Sequence, residues 1–331
     1  MKKTTKGMDF RPSEATDRPT PFTSPPLVSV VITTYDEAIY DDFAACVRSV
    51  LDQTYEHVEV VIVTETDYAN ERVSDEFADL SAVNHVHSAH SLNLASARNL
   101  GAERATGDVY AFIDDDAVAD PEWLARIVDA YEREDALAVG GKLTARWPDS
   151  EPKYLPPEFY WLVGVTHRGF REDEGPVRNT FGANITFRAD VFDELGGYNT
   201  DFGKDHGHNL QGEETELCAR LFEQYRERLY YVPDAVVHHC VYDWQLSWKW
   251  LFDRAYWQGV TKEHLQESVP DSIKTESAFL RMVLLSAFPS YVKKSVIDRS
   301  HVPLTTGIAL ILLTLSVGSG FLIARIRPTG R

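Results

Sequence analysis

A chain of 331 residues that is 44% hydrophobic and 11% aromatic can bury a full core, which excludes a disordered protein. Its formal charge of −18 leaves no basic face for phosphate binding and excludes nucleic acid as the expected partner. Self-repulsion of this size favours the compact state only where salt screens it, so a salt-rich cytoplasm is expected over an acidic surface in an ordinary cytosol.

Residues 1–26 are polar and punctuated by Pro12, Pro19, Pro21, Pro25 and Pro26. They read as a disordered leader without a secretory signal. Leu27 to Ile32 is an apolar run that predicts a fully buried strand ending at Thr33 and Thr34. A helix is expected from Ala38 to about Gln53, with Phe43, Val47, Val50 and Leu51 on one face. Val58 to Val63 predicts a second buried strand, His85 to His87 a weak third, and Ala95 to Arg104 a helix. Val109 to Ile113 predicts a strand that runs into acid, after which Pro121 opens a helix where its missing N–H costs nothing. Buried strands alternating with helices predict an α/β fold, a mostly parallel sheet with helices on both faces. Ligands of such sheets sit beyond the carboxyl ends of the strands, where Thr34, Thr64 and Asp114 fall.

Residues 146–180 break this rhythm and read as an irregular insertion on the acceptor side. Short and long helices are expected at Ala189 to Leu195 and Glu213 to Arg226. A strand follows at Tyr230 to His238, then an aromatic helix from Trp244 to Gly259. Ala278 to Val292 suits a helix lying in a membrane interface. Val302 to Ala324 is uncharged for about 23 residues, enough to cross a bilayer of roughly 30 Å, and is expected to do so; a buried core helix is the blander reading. Lys293, Lys294 and Arg299 before it balance Arg325, Arg327 and Arg331 after it, so charge does not orient it. The expected organisation is therefore a leader at 1–26, a catalytic domain at 27–240, a helical membrane-proximal segment at 241–300, a span at 302–324 and a basic tail at 325–331. Cys46, Cys218 and Cys240 are widely separated and odd in number, which speaks against a disulfide framework and for a reducing compartment.

The sharpest chemical signal is Asp114-Asp115-Asp116 after a buried strand. Three adjacent carboxylates repel one another, and a hard divalent cation bridging to phosphate oxygens relieves them. Alternate positions can face one way, so Asp114 and Asp116 can share a site. An acidic turn with Asp120 capping the next helix accounts for Asp120 but not for the triplet.

With these residues the sequence resembles the family 2 glycosyltransferases of the GT-A fold. The likeness runs through Val28 to Glu37, Ser49 to Tyr55, Ala97 to Gly101, Thr106 to Asp108 and the Asp triplet. It continues in Gly182 to Asn184, Gly196 to Tyr198 and Gly212 to Leu217, covering about residues 27–240. The resemblance implies that Thr34, Tyr35 and Glu37 line the nucleotide pocket and that Arg98 approaches the donor phosphates. It implies Mn2+ or Mg2+ on Asp116, with Asp114 on the metal or ribose, Asp115 beside them and His239 a further candidate ligand. Glu213-Glu214 stands where the family supplies a catalytic base: Glu214 matches the position and Glu213 could serve, although acids at a helix N-terminus also satisfy its dipole. The second strand ends in Thr64-Glu65-Thr66 instead of the family's base-recognising Asp residues, so Glu65 is the expected substitute and a UDP-sugar the expected donor. Asn184 is expected to shape the acceptor site, and Arg254 and Trp257 to meet a lipid phosphate at the interface.

The function so implied is inverting transfer of a hexose or hexuronic acid to a lipid-linked acceptor of the dolichol phosphate type. Archaeal protein N-glycosylation is the expected setting, with the anchored catalytic domain cytoplasmic and other enzymes of the pathway as partners. A polyprenyl-phosphate monosaccharide synthase or a polysaccharide glycosyltransferase is the alternative within the class. A catalytically silent nucleotide-sugar binding scaffold at the membrane is the alternative outside it.

Overall fold

The computed structural model describes residues 18–77, 79–202, 210–268 and 272–326, without the side chains of 267–276. Most of the expected leader and all but the first two residues of the basic tail lie outside them. The chain runs through β1 (Val28–Thr34), a 3-10 turn, α1 (Tyr40–Leu51), β2 (Val58–Thr64), α2 (Asp67–Phe77), β3 (Val83–His87), α3 (Leu94–Arg104) and β4 (Val109–Phe112). There follow β5 (Ala117–Ala119), α4 (Trp123–Glu134), β6 (Ala138–Arg146), a 3-10 helix at Pro157–Val163, β7 (Gly175–Val177), β8 (Ile185–Arg188), α5 (Ala189–Glu194), α6 (Glu213–Tyr225) and β9 (Leu229–Cys240). The last helices are α7 (Trp248–Ser268), α8 (Ser272–Met282), α9 (Phe288–Ile297) and α10 (Val302–Ile326), with a π-helical turn at Val283–Ala287 between α8 and α9.

Nine strands form one sheet in the order β3-β2-β1-β4-β8-β6-β9-β5, with β7 also on β9. The β3-β2-β1-β4 half is parallel throughout. Beyond it, β8 lies antiparallel between β4 and β6, while β6 and β9 run parallel. Period-two alternation explains the two-faced core. Val30 and Ile32 face Phe43, Val47, Val73 and Trp123 of α1, α2 and α4. Val31 and Val61 face Ala95, Phe192, Leu217 and Leu221 of α3, α5 and α6.

A third cluster joins the 146–180 segment to the C-terminal helices: Leu155, Phe159 and Leu162 pack with Leu251 and Ala255 of α7, Tyr291 of α9, and Leu310 and Leu313 of α10. The expected irregular insertion thus contains a helical turn and a short strand, and holds the C-terminal helices on the body. The expected Trp244 to Gly259 helix is longer and begins later, at Trp248. Pro121 sits in the turn before α4, which opens at Trp123; the Asp120 carboxylate accepts from the Glu122 N–H at 3.1 Å.

Asn184, expected at the acceptor site, is fully buried and does not border the cavity. Its Oδ1 accepts from Trp123 Nε1 at 2.9 Å, and its Nδ2 donates to Lys142 O at 3.1 Å and Ala235 O at 2.9 Å. One amide thereby ties β6, β8, α4 and the β9 bulge together. Asn184→Ala strands the buried Trp123 Nε1 and Ala235 O and the part-buried Lys142 O, and is expected to cost about 3 kcal/mol, read as a lower urea midpoint at unchanged slope.

Candidate active site

The carboxyl ends of β1, β2 and β4 point into a single cavity of about 1540 Å³, walled on the far side by the 157–182 segment, α6, α7 and α10. The strand-to-loop transition after Phe112 delivers Asp114, Asp115 and Asp116 to its floor. Antiparallel pairing of β5 with β9 places Ala117 opposite His239, bringing the imidazole to the same point. Asp114, Asp116 and His239 offer three ligand atoms within 4.8 Å of one another. His239 Nε2 lies 3.3 Å from Asp116 Oδ1.

This donor set fits a divalent cation. Two hard carboxylate oxygens and one imidazole are an accepted combination for ions such as Mn2+. Asp115 Oδ2 and His239 Nδ1 are buried without hydrogen-bond partners among the described residues, so the cluster carries unspent coordinating capacity. Burial pushes Asp115 well above the usual carboxylate range, the Asp116 charge adds to it, and the Thr34 hydroxyl opposes it. Burial also raises Asp116, while His239 pulls it down. Both directions are those a bound cation would reverse.

A single guanidinium organises the other side. Arg98, on α3, is 2% exposed and donates to Asp114 Oδ1 at 2.6 Å and to Glu213 Oε1 at 2.9 Å. Its guanidinium also lies 5.6 Å from the Tyr198 ring centre. Glu213 accepts the Gly212 N–H as well, at 3.0 Å, so its carboxylate is occupied. Gly212, with φ of +110°, makes the turn that opens α6 and sets Glu213 and Glu214 side by side. Glu214 borders the cavity, and burial plus the Glu213 charge raise it to about 8. A carboxyl so raised is poised to take a proton near neutrality.

The structure redistributes several expected contacts. Tyr35 is half exposed on the cavity rim, as expected of a pocket residue. Thr34 is buried beneath the floor, and its neighbour Thr33 borders the cavity instead. Glu37 lies in the exposed 3-10 turn, outside the residues bordering the cavity. Glu65 borders the cavity, and its Oε2 accepts the Leu92 N–H at 2.7 Å, pinning the loop before α3. Arg254 of α7 turns into the cavity, donating to Leu162 O at 3.3 Å; burial lowers it to about 10 against the pull of Glu213 and Glu214. Trp257 does not border the cavity. Sequence reasoning missed Arg178 and Lys262, which do. Arg178 sits in the stretch without periodicity and carries no motif, whereas Lys262 follows Arg254 at two-turn spacing on α7 and could have been found from it.

An α/β sheet that gathers an acidic loop, an imidazole and a paired acid at its strand ends defines a glycosyltransferase of the GT-A fold. Residues 29–196 match glycosyl transferase family 2, and the chain belongs to that family. It is 39% identical over 303 residues to the glucosyl-dolichyl phosphate glucuronosyltransferase of Haloferax volcanii, an alignment covering 91% of this chain and 97% of the relative. It is 25% identical to the succinoglycan biosynthesis protein ExoM of Rhizobium meliloti, over 64% of this chain and 68% of that one. Among solved structures, the fold matches the mannosyltransferase PcManGT of Pyrobaculum calidifontis in complex with GDP-Man and Mn2+ at a TM-score of 0.58, with 18% identity, covering 95% of this chain and 91% of that one.

Removing Arg98 would leave two carboxylates of the site without their counter-charge. Arg98→Met is expected to destabilise the fold by about 3–5 kcal/mol in urea denaturation. Adding Glu213→Gln to that variant should recover part of the loss, because the double change removes one of the stranded charges.

Proposed function

We propose that this glycosyltransferase transfers a hexose or hexuronic acid, with inversion, from a nucleotide sugar to a lipid-linked acceptor of the dolichol phosphate type. The observation that carries the reading is the continuity of one cavity, from Asp114, Asp116 and His239 at one end to Phe279 and Leu280 of α8 and Val317 and Phe321 of α10 at the other. A soluble acceptor would need no apolar end to this cleft. The Haloferax volcanii relative, named for a glucosyl-dolichyl phosphate and a glucuronosyl group, supports the same substrate classes. Arg178, Arg254 and Lys262 line the space between the two ends and supply cations for phosphate and carboxylate groups.

Asp114, Asp116 and His239 would hold a divalent metal, which when bound neutralises the diphosphate of the donor and helps it to leave. Glu213, committed to Arg98, positions the N-terminus of α6 and keeps the Asp114 loop in register with it. Glu214, the neighbour without that commitment, takes the proton from the acceptor hydroxyl as its oxygen bonds to the anomeric carbon. The bond from that carbon to the donor phosphate breaks on the opposite side, and the nucleoside diphosphate leaves with the electron pair. A UDP-sugar remains the proposed donor, with Tyr35 and Glu65 on the nucleotide side of the cleft. A cytoplasmic catalytic face follows from the supply of nucleotide sugars, and the charge of −18 supports a salt-rich cytoplasm. Archaeal protein N-glycosylation is the proposed pathway.

The test incubates purified protein in detergent and Mn2+ with a panel of UDP- and GDP-sugars and dolichyl-phosphate-linked monosaccharides, with products read by mass spectrometry. A mass increase of one sugar on the lipid is expected, and no transfer to any lipid acceptor would overturn the acceptor assignment. Chelation by EDTA should abolish transfer and Mn2+ restore it, whereas Asp116→Asn should resist such rescue; activity indifferent to both would remove the metal. Glu214→Gln is expected to lower kcat by about 10²–10⁴ with donor KM little changed. Because the base must be deprotonated, kcat/KM should rise with pH along a limb displaced above the ordinary carboxylate range, and that limb should vanish in the variant.

A further inference from the structure

α10 is 25 residues long and contains an 18-residue stretch with a mean hydropathy of 2.2, long and apolar enough to cross a membrane. Length permits a crossing, but packing against neighbours sets orientation. α10 runs beside α7 in the same direction. Ser316 Oγ donates to Phe252 O at 2.9 Å, and a Cβ built on Gly320 would stand 2.0 Å from Tyr256 O. One on Gly259 would stand 2.0 Å from Val317 O, so the two backbones touch where only glycine fits. Towards its start, Thr306 Oγ1 donates to Lys153 O at 2.6 Å and Gly307 lies against Tyr291 and Phe288 of α9. From Thr306 to Gly320 the helix is laid along the folded body, about 21 Å at 1.5 Å per residue.

That partner cannot follow it through hydrocarbon. α7 carries Lys249, Asp253, Arg254, Lys262 and Glu263, and charged side chains are unfavourable at a bilayer centre. The inner face of α10, through Thr314, Val317, Gly318 and Phe321, borders the same cavity as the carboxylates of the site, so it forms a wall of the cleft. Its outer face is apolar and exposed at helical spacing, at Leu304, Ile308, Leu312, Leu315 and Ile326, and Leu285 and Val296 of the adjoining α8–α9 segment are exposed as well.

We propose that α8, α9 and α10 form a monotopic platform seated in one face of a lipid bilayer, with α10 lying in the membrane plane instead of crossing it. Charge selects the bilayer over a second copy of the chain. Residues 279–326 carry exposed Arg281, Lys293, Lys294, Arg299 and Arg325 against Asp298 alone, in a chain whose formal charge is −18. Such a rim attracts anionic headgroups, while the apolar face between its charges enters the acyl boundary. The cavity then opens between α8 and α10 at the depth where a lipid phosphate resides. This inference builds on the lipid-acceptor reading, but its test reads geometry alone, so either can fail without the other.

Impermeant maleimide labelling of His301→Cys, Arg325→Cys and Glu172→Cys, each in full-length protein, is compared in right-side-out and inside-out vesicles; the native cysteines are buried. All three are expected to label from the same side. Labelling of Arg325→Cys from the side opposite to His301→Cys would overturn the proposal. If Arg325→Cys labels from neither side, an epitope tag after Arg331 decides: protease digestion together with the body supports the platform, and protection where the body is digested overturns it. Alkaline carbonate washing should leave the chain with the membrane; its release would mean that protein, not lipid, covers the apolar face, and would also overturn the proposal.

Discussion

Carboxylates crowded at the end of a buried strand repel one another most strongly where water is scarce, and the rest of this active site is arranged around that repulsion. Arg98 answers it from one side: its guanidinium, almost wholly buried, bonds both Asp114 and Glu213. The planar fork is what makes a two-handed contact possible, since a lysine ammonium would serve as a point charge without the matching geometry. Because Asp114 belongs to the loop after β4 and Glu213 to the first turn of α6, one side chain sets the spacing between the acidic loop and the N-terminus of that helix. His239 answers from the other side, approaching Asp116 from β9. What neither relieves is left at Asp115 and Asp116, whose proton affinities burial raises.

Much of this was legible because local pattern and position agree. β1, β2 and β4 are apolar runs buried on both faces, and the Asp triplet follows the last of them at the expected edge. α2 was overlooked because its sequence is mostly polar; only Ala69, Val73 and Phe77 are buried, one residue per turn. β6 and β8 were missed for a different reason. The first contains Gly140 and Gly141 and the second has four residues, so their strand character comes from pairing with each other and with β4 and β9, which no short window contains. His239 was legible only through family likeness, because it is the pairing of β5 with β9 that carries it to the acidic loop. Asn184 lies where the motif suggested, yet it is the joint of the sheet and not a wall of the cleft. Glu37 follows the same lesson: two residues beyond Tyr35, it lies exposed in the 3-10 segment.

The stretch from 146 to 180, which periodicity could not interpret, is the part that joins the cleft to the C-terminal helices. Glu158 is 1% exposed and accepts from Tyr291 at 2.9 Å and Arg168 at 3.2 Å. A carboxylate so buried is tolerable only with such partners, which makes α9 part of the fold. Leu155, Phe159 and Leu162 then bind α7, α9 and α10 into one core. The C-terminal helices are therefore not a tether trailing from a finished domain, because the wall of the cleft is incomplete without them.

That continuity changes what an anchor does. A flexible tether raises the local concentration of enzyme at a surface but leaves each active site free to tumble. A platform sharing its core with the cleft fixes both the distance and the angle between the bilayer and the carboxylates, so an amphipathic acceptor meets the base in a restricted set of poses. The distribution of charge serves the same end. On the proposed platform the acidic majority of the chain would keep the body away from anionic headgroups, while Arg281, Lys293, Lys294, Arg299 and Arg325 would hold one face to them. Opposite signs on opposite parts of one rigid body orient it as well as retain it, and orientation is what a cleft opening towards lipid requires.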